Sequence, residues 1–256
     1  YKYNSADYAI YNISGSTSVG NLSGQGAGSP GNQTAPLGYI AAGQSFFVKS
    51  KTTSSAIFTN TMRVPGSNSQ FYKTNNINKT NLERHRVWLN LTNTEGAFKQ
   101  LLIGYIEGAT NSWDQNYDAI SFNGNPYVDF YSINEGQKLV IQGRALPFNE
   151  SDVIPLGYRS AIQGEFTISI DHTDGVLSNQ SIYLEDKVTN TIHNLQTSNY
   201  NFTTAIGTFP ERFILKYRNA SLGIDDFDDP NNAFYASVKD KTIKLNSTGD
   251  VMREVS

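Results

Sequence analysis

The chain has 256 residues, enough for one large β domain or two to three smaller ones, and 38% of them are hydrophobic, enough for a packed core. Its net charge is −3 and the charges are mixed along the chain, so it has no basic stripe of the kind that binds nucleic acid. Cysteine is absent, which excludes disulfides and thiolate metal sites. This favours an exported bacterial protein, or one made where disulfides are not needed, over a eukaryotic glycoprotein.

The sequence predicts neither a membrane span nor a signal peptide. The densest apolar run, Leu101–Ile106, has the length of a strand and is too short to cross a bilayer. The first residues, "YKYNSADYAIYN", lack a charged region followed by an apolar one. An exported protein with this sequence would need its targeting signal elsewhere, or that signal would have been removed.

The first part of the chain is predicted to hold a long flexible loop and two strands. Residues 14–36 are rich in Gly, Ser and Asn, as flexible loops are. Within them Gly26–Gly31 matches GxGxxG, but Pro30 stands where the helix of a phosphate site would begin. The apolar runs Ser45–Ser50 and Ala56–Asn60 predict two strands.

A hairpin is predicted next. In Arg86–Leu91, one face carries Val87, Leu89 and Leu91, and the other carries Arg86, Trp88 and Asn90. The turn residues Asn93–Gly96 then lead into the second strand, Phe98–Ile106. Further strands are predicted at Val128–Ser132 and Lys138–Gln142.

A second set of strands follows the proline-containing link "ALPFNESDVIPLGYR". Its first strand places Phe166, Ile168 and Ile170 on one face, and "SIYLED", "TIHNL" and "RFILKYR" continue the set. Short strands at regular spacing predict an all-β protein of tandem antiparallel sandwiches. We expect a jelly-roll-like sandwich over residues 1–135, an immunoglobulin-like one over 136–219, and an acidic linker over 220–232.

Residues 233–256 predict the start of a further β module. Thr242–Asn246 alternates as a strand, and Val251–Val255 begins another after a polar turn. Two strands alone are marginal in water, so the hairpin is expected to be part of a longer module. Tyr1 likewise is expected to lie in the middle of a module, within a longer protein.

The best local cluster for chemistry is "NSWDQNYDAISF", with Trp113, Asp114, Tyr117 and Asp118. These aromatics and carboxylates could stack on and hydrogen-bond a sugar, or hold a calcium ion through oxygen ligands. Glycoside hydrolysis would need the two carboxyls to face each other about 5–9.5 Å apart. The structural alternative is a turn whose aromatics cap the core and whose acids cap backbone amides.

Other patterns predict no catalytic or cofactor site. The histidines His85, His172 and His193 lie far apart in sequence, and GxSxG is absent. Surface or edge-strand positions are expected for His172 and His193. The acidic run Asp225–Asp229 fails as an EF-hand. A loop starting at Asp226 would need Gly at its sixth position and Glu at its twelfth, which are Asn231 and Ser237. We predict neither an enzyme nor a cofactor.

Several segments together resemble a known family. They are "GYIAAGQSFFVKS", "RVWLNLTN", "GAFKQLLIGYIEGAT", "LVIQGRALPF", "FTISIDHTDG" and "LGIDDF…VKDKTIKLNS…MREVS". In this order they resemble the C-terminal region of large surface proteins of Bacteroidota that the type IX secretion system exports. The resemblance covers nearly the whole chain.

The resemblance implies that the end of the chain opens a C-terminal sorting-signal domain. Its partners would be the outer-membrane translocon and the shuttle barrel of that system, and the protein would lie outside the cell or on its surface. The positions that match the signal are apolar: Val238, Ile243, Leu245, Met252 and Val255.

Three functions follow as hypotheses. The first is a non-enzymatic display and export region. The second is an adhesin or carbohydrate-binding module that uses the turn with Trp113 and Asp114 on surface glycans, with calcium as a further ligand. The third, an enzyme of the glycoside hydrolase kind, has the least support.

Overall fold

The computed structural model describes residues 8–19, 35–40, 45–50, 52–64, 82–122, 124–219, 234–239 and 242–247, the last two ranges by their backbone only. These residues are nearly all β, which confirms the predicted all-β class. The chain divides into two units, Tyr1–Arg218 and Asn219–Ser256.

The strands of the first unit follow in chain order. They are β1 (Ile10–Tyr11), β2 (Ser16–Thr17), β3 (Arg84–Thr92), β4 (Phe98–Ile106), β5 (Ala119–Ile120), β6 (Val128–Asn134), β7 (Gln137–Arg144), β8 (Val153–Ser160), β9 (Gly164–Asp174), β10 (Tyr183–Asp186), β11 (Thr191–Asn194), β12 (Tyr200–Thr204) and β13 (Gly207–Lys216). Short 3-10 turns lie at Asn60–Met62 and Gly175–Ser178.

One sheet contains most of these strands, in the order β11-β10-β13-β8-β6-β7-β4-β3-β9-β12, with β5 also paired to β7. Neighbours are antiparallel except β4 and β7, which run parallel. Antiparallel neighbours can be joined by a tight turn, whereas parallel ones need a crossover, and here β5 and β6 lie in that crossover. The predicted hairpin of β3 and β4 is confirmed, with Thr92 opposite Phe98.

The sheet bends back over itself and encloses the main core. Tyr158 on β8 and Phe202 on β12 belong to strands far apart in the sheet order, yet their ring centroids are 5.5 Å apart. Val87, Leu89 and Leu91 on β3 are fully buried in this core, as their alternation predicted. Burying each such side chain stabilises the fold by about 1.5–3 kcal/mol.

A smaller core lies on the opposite face of β3, β4 and β7. Trp88, Leu102, Val140 and Ile141 form it, and Ile10 packs against it. Residues 8–19, which contain the β1–β2 hairpin, therefore cover this face; we call them the strap. Ser14 and Thr17 of the strap are buried, so the start of the loop predicted at 14–36 is ordered, while residues 20–34 lie outside the described ranges.

The structure does not divide at residue 135, where two sandwiches were predicted to meet. Residue 135 lies in the two-residue turn between β6 and β7, strands that pair with each other. Strands from both sides of this turn share one sheet and one core, because β3 pairs with β9 and β6 with β8. The predicted jelly-roll-like and immunoglobulin-like modules are thus parts of one unit.

Two predicted strands are wrong. Residues 45–50 and 56–60 pair with no strand among the described residues, and only the 3-10 turn Asn60–Met62 occurs there. Their apolar side chains are largely exposed, Phe47 by 79%. The apolar run was typical of a strand, but a strand also requires a neighbour that supplies backbone hydrogen bonds.

The described residues of the second unit form one hairpin, β14 (Phe234–Lys239) with β15 (Thr242–Ser247). The strand predicted at Thr242–Asn246 is confirmed, but its partner precedes it, where no strand was predicted. The strand predicted at Val251–Val255 lies outside the described residues.

Candidate functional site

The four residues Trp113, Asp114, Tyr117 and Asp118 lie together in the connection between β4 and β5. The connection turns tightly after Asp114, whose carbonyl oxygen accepts hydrogen bonds from the N–H groups of Tyr117 and Asp118 over 3.0 and 2.7 Å. Tyr117 and Asp118 follow Asp114 by three and four positions, so this one turn contains both carboxylates and both aromatic rings, as the sequence indicated.

Asp118 fixes the turn to the sheet. Its side chain is only 4% exposed. Oδ2 accepts the N–H of Asp114 over 2.7 Å, and Oδ1 accepts the N–H of Gly143 on β7 over 2.8 Å. Burial raises the pKa of Asp118 to about 6, although these two hydrogen bonds act in the opposite direction. The carboxylate thus caps two backbone amides.

Asp114 caps the next amide of the turn. Its Oδ1 accepts the N–H of Asn116 over 2.9 Å, as an Asx turn does. Both acids therefore play the amide-capping role that was the structural alternative for this cluster. A ligand or calcium role for the four residues stays a prediction.

Tyr117 anchors the strap, a role that the sequence did not indicate. Its carbonyl oxygen accepts hydrogen bonds from Asn12 Nδ2 over 2.8 Å and from Ser14 Oγ over 2.7 Å. Gly143 lies directly beneath, where a methyl group would be 2.5 Å from Tyr117 Cβ and 2.9 Å from Ser14 Oγ. Only glycine fits at this contact between strap, turn and sheet.

Trp113 is half-buried at the surface of the turn. Lys49 Nζ lies 5.3 Å from the centroid of the indole ring, a cation–π contact. The backbone N–H of Trp113 donates to Glu135 Oε2 over 3.3 Å. Trp113 belongs to neither hydrophobic core, so the predicted capping of the core by this ring is not seen.

A cleft that sequence reasoning missed lies between β7 and β8. It has a volume of about 720 Å³, and Leu146, Phe148, Asp152, Gln180 and Arg218 are among the residues that line it. The segment that forms most of it, Ala145–Asp152, is the proline-containing link that was interpreted as a connection between modules. Its mixture of Pro, Phe, Asn and acids was the signal that could have indicated a binding surface.

A family comparison covers all but the last residue of the first unit. The model of a family described as a domain of unknown function, DUF8693, matches residues 1–217. The chain belongs to the DUF8693 family. The match ends one residue before the first unit of this DUF8693 chain does. No curated protein and no solved structure matches the chain.

The three histidines of this DUF8693 chain lie in separate places. His85 on β3 contacts Glu83, with Nε2 and Oε1 3.0 Å apart. His172 on β9 is exposed and stacks on Trp88 with ring centroids 3.9 Å apart. His193 lies on the edge strand β11. The predicted surface and edge positions of His172 and His193 agree with this placement.

Within the described ranges, no three or more His, Asp or Glu side chains are grouped so that they could hold a metal ion. In the same ranges, no helix is long and apolar enough to cross a membrane.

The positions that the resemblance assigns to a sorting signal fall partly on the hairpin. Val238 stands opposite Ile243, and Ala236 opposite Leu245. Directly opposite residues of an antiparallel pair lie on the same face of the hairpin. Met252 and Val255 lie outside the described residues.

Proposed function

We propose that the chain is a non-enzymatic display and export region of a surface protein carried by the type IX secretion system. In this proposal the first unit is a stable β body outside the cell or on its surface. The second unit opens the sorting signal, which the outer-membrane translocon and the shuttle barrel bind.

The observation that carries the proposal is the division of the chain after Arg218. The family match and the first unit end within one residue of each other. A hairpin of the second unit then stands where the resemblance puts the opening strands of the signal. A separate β unit after a polar acidic segment is the arrangement that such a signal requires.

Recognition of the second unit would use backbone edges. In the described part of this unit, β14 and β15 pair only with each other, and in this proposal an edge of the hairpin is where a receptor strand would pair. An exposed strand edge carries N–H and C=O groups that can pair with a strand of another protein. The alternation of Ile243 and Leu245 with polar residues would add side-chain specificity on one face.

Copurification with the outer-membrane machinery tests the proposal. The full chain is expected to recover the translocon and shuttle barrel from Bacteroidota membranes, and a chain ending at residue 232 is expected to recover neither. Because the first unit has its own core, its thermal unfolding should be the same in both forms. Equal recovery with and without residues 233–256 would refute the proposal.

The second candidate function is adhesion to surface glycans through the turn at Trp113. It is favoured by the half-buried indole ring, which could stack on a sugar at the surface. Trp113→Ala should then reduce binding to immobilised cell-surface polysaccharide, with addition of a calcium chelator as a separate arm. Unchanged binding in Trp113→Ala would remove this turn as a site.

A further inference from the structure

The cleft between β7 and β8 has an apolar wall held in a fixed orientation. Phe148 lines the cleft and packs edge-on against Tyr105 and Tyr217, with ring centroids 4.8 and 4.9 Å away and interplanar angles of 83° and 85°. Both tyrosines are only 1% exposed, so they are fixed in the core. A half-buried ring on such a support can bind a ligand with little loss of conformational entropy.

The same cleft contains a carboxylate whose position is set by two donors. Asp152 lines the cleft, and its Oδ2 accepts hydrogen bonds from Tyr105 Oη over 3.0 Å and from Arg144 Nε over 2.9 Å. Arg144 and Asp152 are both mostly buried. Asp152 is therefore a polar group of the lining that its two donors hold in a fixed position, as specific small-molecule sites require.

Charges along the cleft are paired. Arg144 is matched by Asp152, and at the mouth the exposed side chains of Arg218 and Glu150 form an ion pair. A ligand with a strong charge of either sign would have to compete with one of these pairs. Amide side chains at the edge, Asn149 and Gln180 among them, provide both donors and acceptors.

We propose that this cleft binds a neutral carbohydrate. A sugar ring has a C–H face that packs on an aromatic ring, and hydroxyls that bond carboxylates and amides, which are the groups that the cleft presents together. The cleft has a volume of about 720 Å³ and is open to solvent, so it would contact one side of a sugar chain. This inference concerns a different place from the turn at Trp113 and does not rest on the export role.

Saturation-transfer NMR on the full chain tests the inference. The probes are cellohexaose, mannohexaose and chitohexaose, each at millimolar concentration, with titration calorimetry on any that respond. We expect at least one hexaose to receive saturation from the protein. Phe148→Ala should weaken that binding by about tenfold or more, as loss of a central aromatic contact does.

Two further variants make the result specific to the cleft. The double variant Glu150→Ala and Arg218→Ala removes only exposed groups at the mouth, so it should fold as the wild type does and still change the affinity by several-fold. Trp113→Ala is the matched control and should bind the hexaose unchanged. Circular dichroism melts of every variant establish that the fold is intact.

Two results would overturn the inference. The first is the lack of saturation transfer to all three hexaoses. The second is binding that both Phe148→Ala and the double variant retain at wild-type affinity, because the sugar would then lie elsewhere. Since no secretion component is used, either result would leave the export proposal as it stands.

Discussion

The indole of Trp88 donates a hydrogen bond from Nε1 to the carbonyl oxygen of Ser16 over 2.8 Å. This bond joins the centre of the sheet to the strap, a segment more than 70 positions earlier in the chain. Beside it, Arg86 Nη1 donates to the carbonyl oxygen of Ser14 over 2.9 Å. Side chains of β3 thus hold the backbone of the strap over the smaller core.

Trp88→Phe should loosen the strap while keeping an aromatic ring in place. The carbonyl of Ser16 would lose its donor, so the free energy of unfolding should fall by about 1–2 kcal/mol. Chymotrypsin should also cut faster after Tyr11 in the strap. Urea unfolding and timed proteolysis measure the two effects. Trp113→Phe is the matched control, and equal behaviour of the two variants would contradict the role given to Trp88.

Gly143→Ala should displace the strap by a different route. The added methyl group would lie 2.5 Å from Tyr117 Cβ, so the turn or the sheet must move. Such overpacking costs about 1–3 kcal/mol. We expect a lower urea midpoint and faster cleavage at Tyr11. Gly136→Ala has no atom within 4 Å of its new methyl group, but its φ of +75° strains an alanine, so it controls for a loss of stability that arises away from the strap. Equal cleavage at Tyr11 in the two variants would refute the steric effect on the strap.

Asp118 should make stability depend on pH in the mildly acidic range. Its folded pKa of about 6 lies above the ordinary value of 3.8, so the folded state binds the proton more tightly than the unfolded state. The stabilising contribution is complete below about pH 4 and is lost as the pH rises through 6. By the linkage relation the change is on the order of 3 kcal/mol.

Asp118→Asn should abolish the part of the pH dependence of the unfolding free energy that comes from Asp118, since an amide does not titrate. Unfolding free energies measured by urea from pH 4 to 7 should fall with rising pH in the wild type, relative to the variant. Asp114→Asn keeps the oxygen that accepts from Asn116 and is the matched control. Parallel curves for the wild type and Asp118→Asn would show that Asp118 does not titrate as proposed.

A buried ion pair at the other end of the unit should have the opposite pH dependence. Burial alone would raise the pKa of Asp186, but hydrogen bonds from Arg212, the amide of Val188 and the hydroxyl of Tyr200 hold it below 3.8. The contribution of Asp186 is therefore complete above pH 4 and is lost as the pH falls through its folded pKa.

Arg212→Met should leave the fully buried Asp186 without its cation, at a cost of about 3–5 kcal/mol at pH 7. The double variant Asp186→Asn and Arg212→Met should recover much of that loss, because it removes the unpaired buried charge while Asn keeps an oxygen that accepts from the amide of Val188. Urea unfolding of both variants measures this. If the double variant were no more stable than Arg212→Met, the unpaired charge of Asp186 would not be the cause of the stability lost in Arg212→Met.

The sequence was sufficient where structure is local. The hairpin of β3 and β4 followed from alternation around Leu89 and from the turn at Asn93–Gly96, since its two strands are neighbours in the chain. Pairing of β3 with β9 could not be inferred, because the alternation of a strand carries no information about a distant partner. For the same reason two modules were predicted where strands before and after residue 135 share one sheet.

The candidate site shows a similar division. The spacing of Asp114 and Asp118 correctly indicated that both lie in one turn. Their amide-capping role was one of the alternatives considered. The burial of Trp88, only 5% exposed, was not predicted, because the strap that covers it comes from another part of the chain. The cleft at Phe148 and Asp152 was missed because its parts converge only after β7, β8 and β13 have assembled.

The pairing of distant strands has a consequence for the order of events during synthesis. The sheet places β8 beside β13 and β3 beside β9, so its contacts join residues far apart in the chain. Chains dominated by such contacts fold slowly, because long loops must close before the contacts form. The first unit cannot complete its core until the ribosome has made residue 217. Until β13 has been made, β8 has an unpaired edge, which could pair with a strand of another chain.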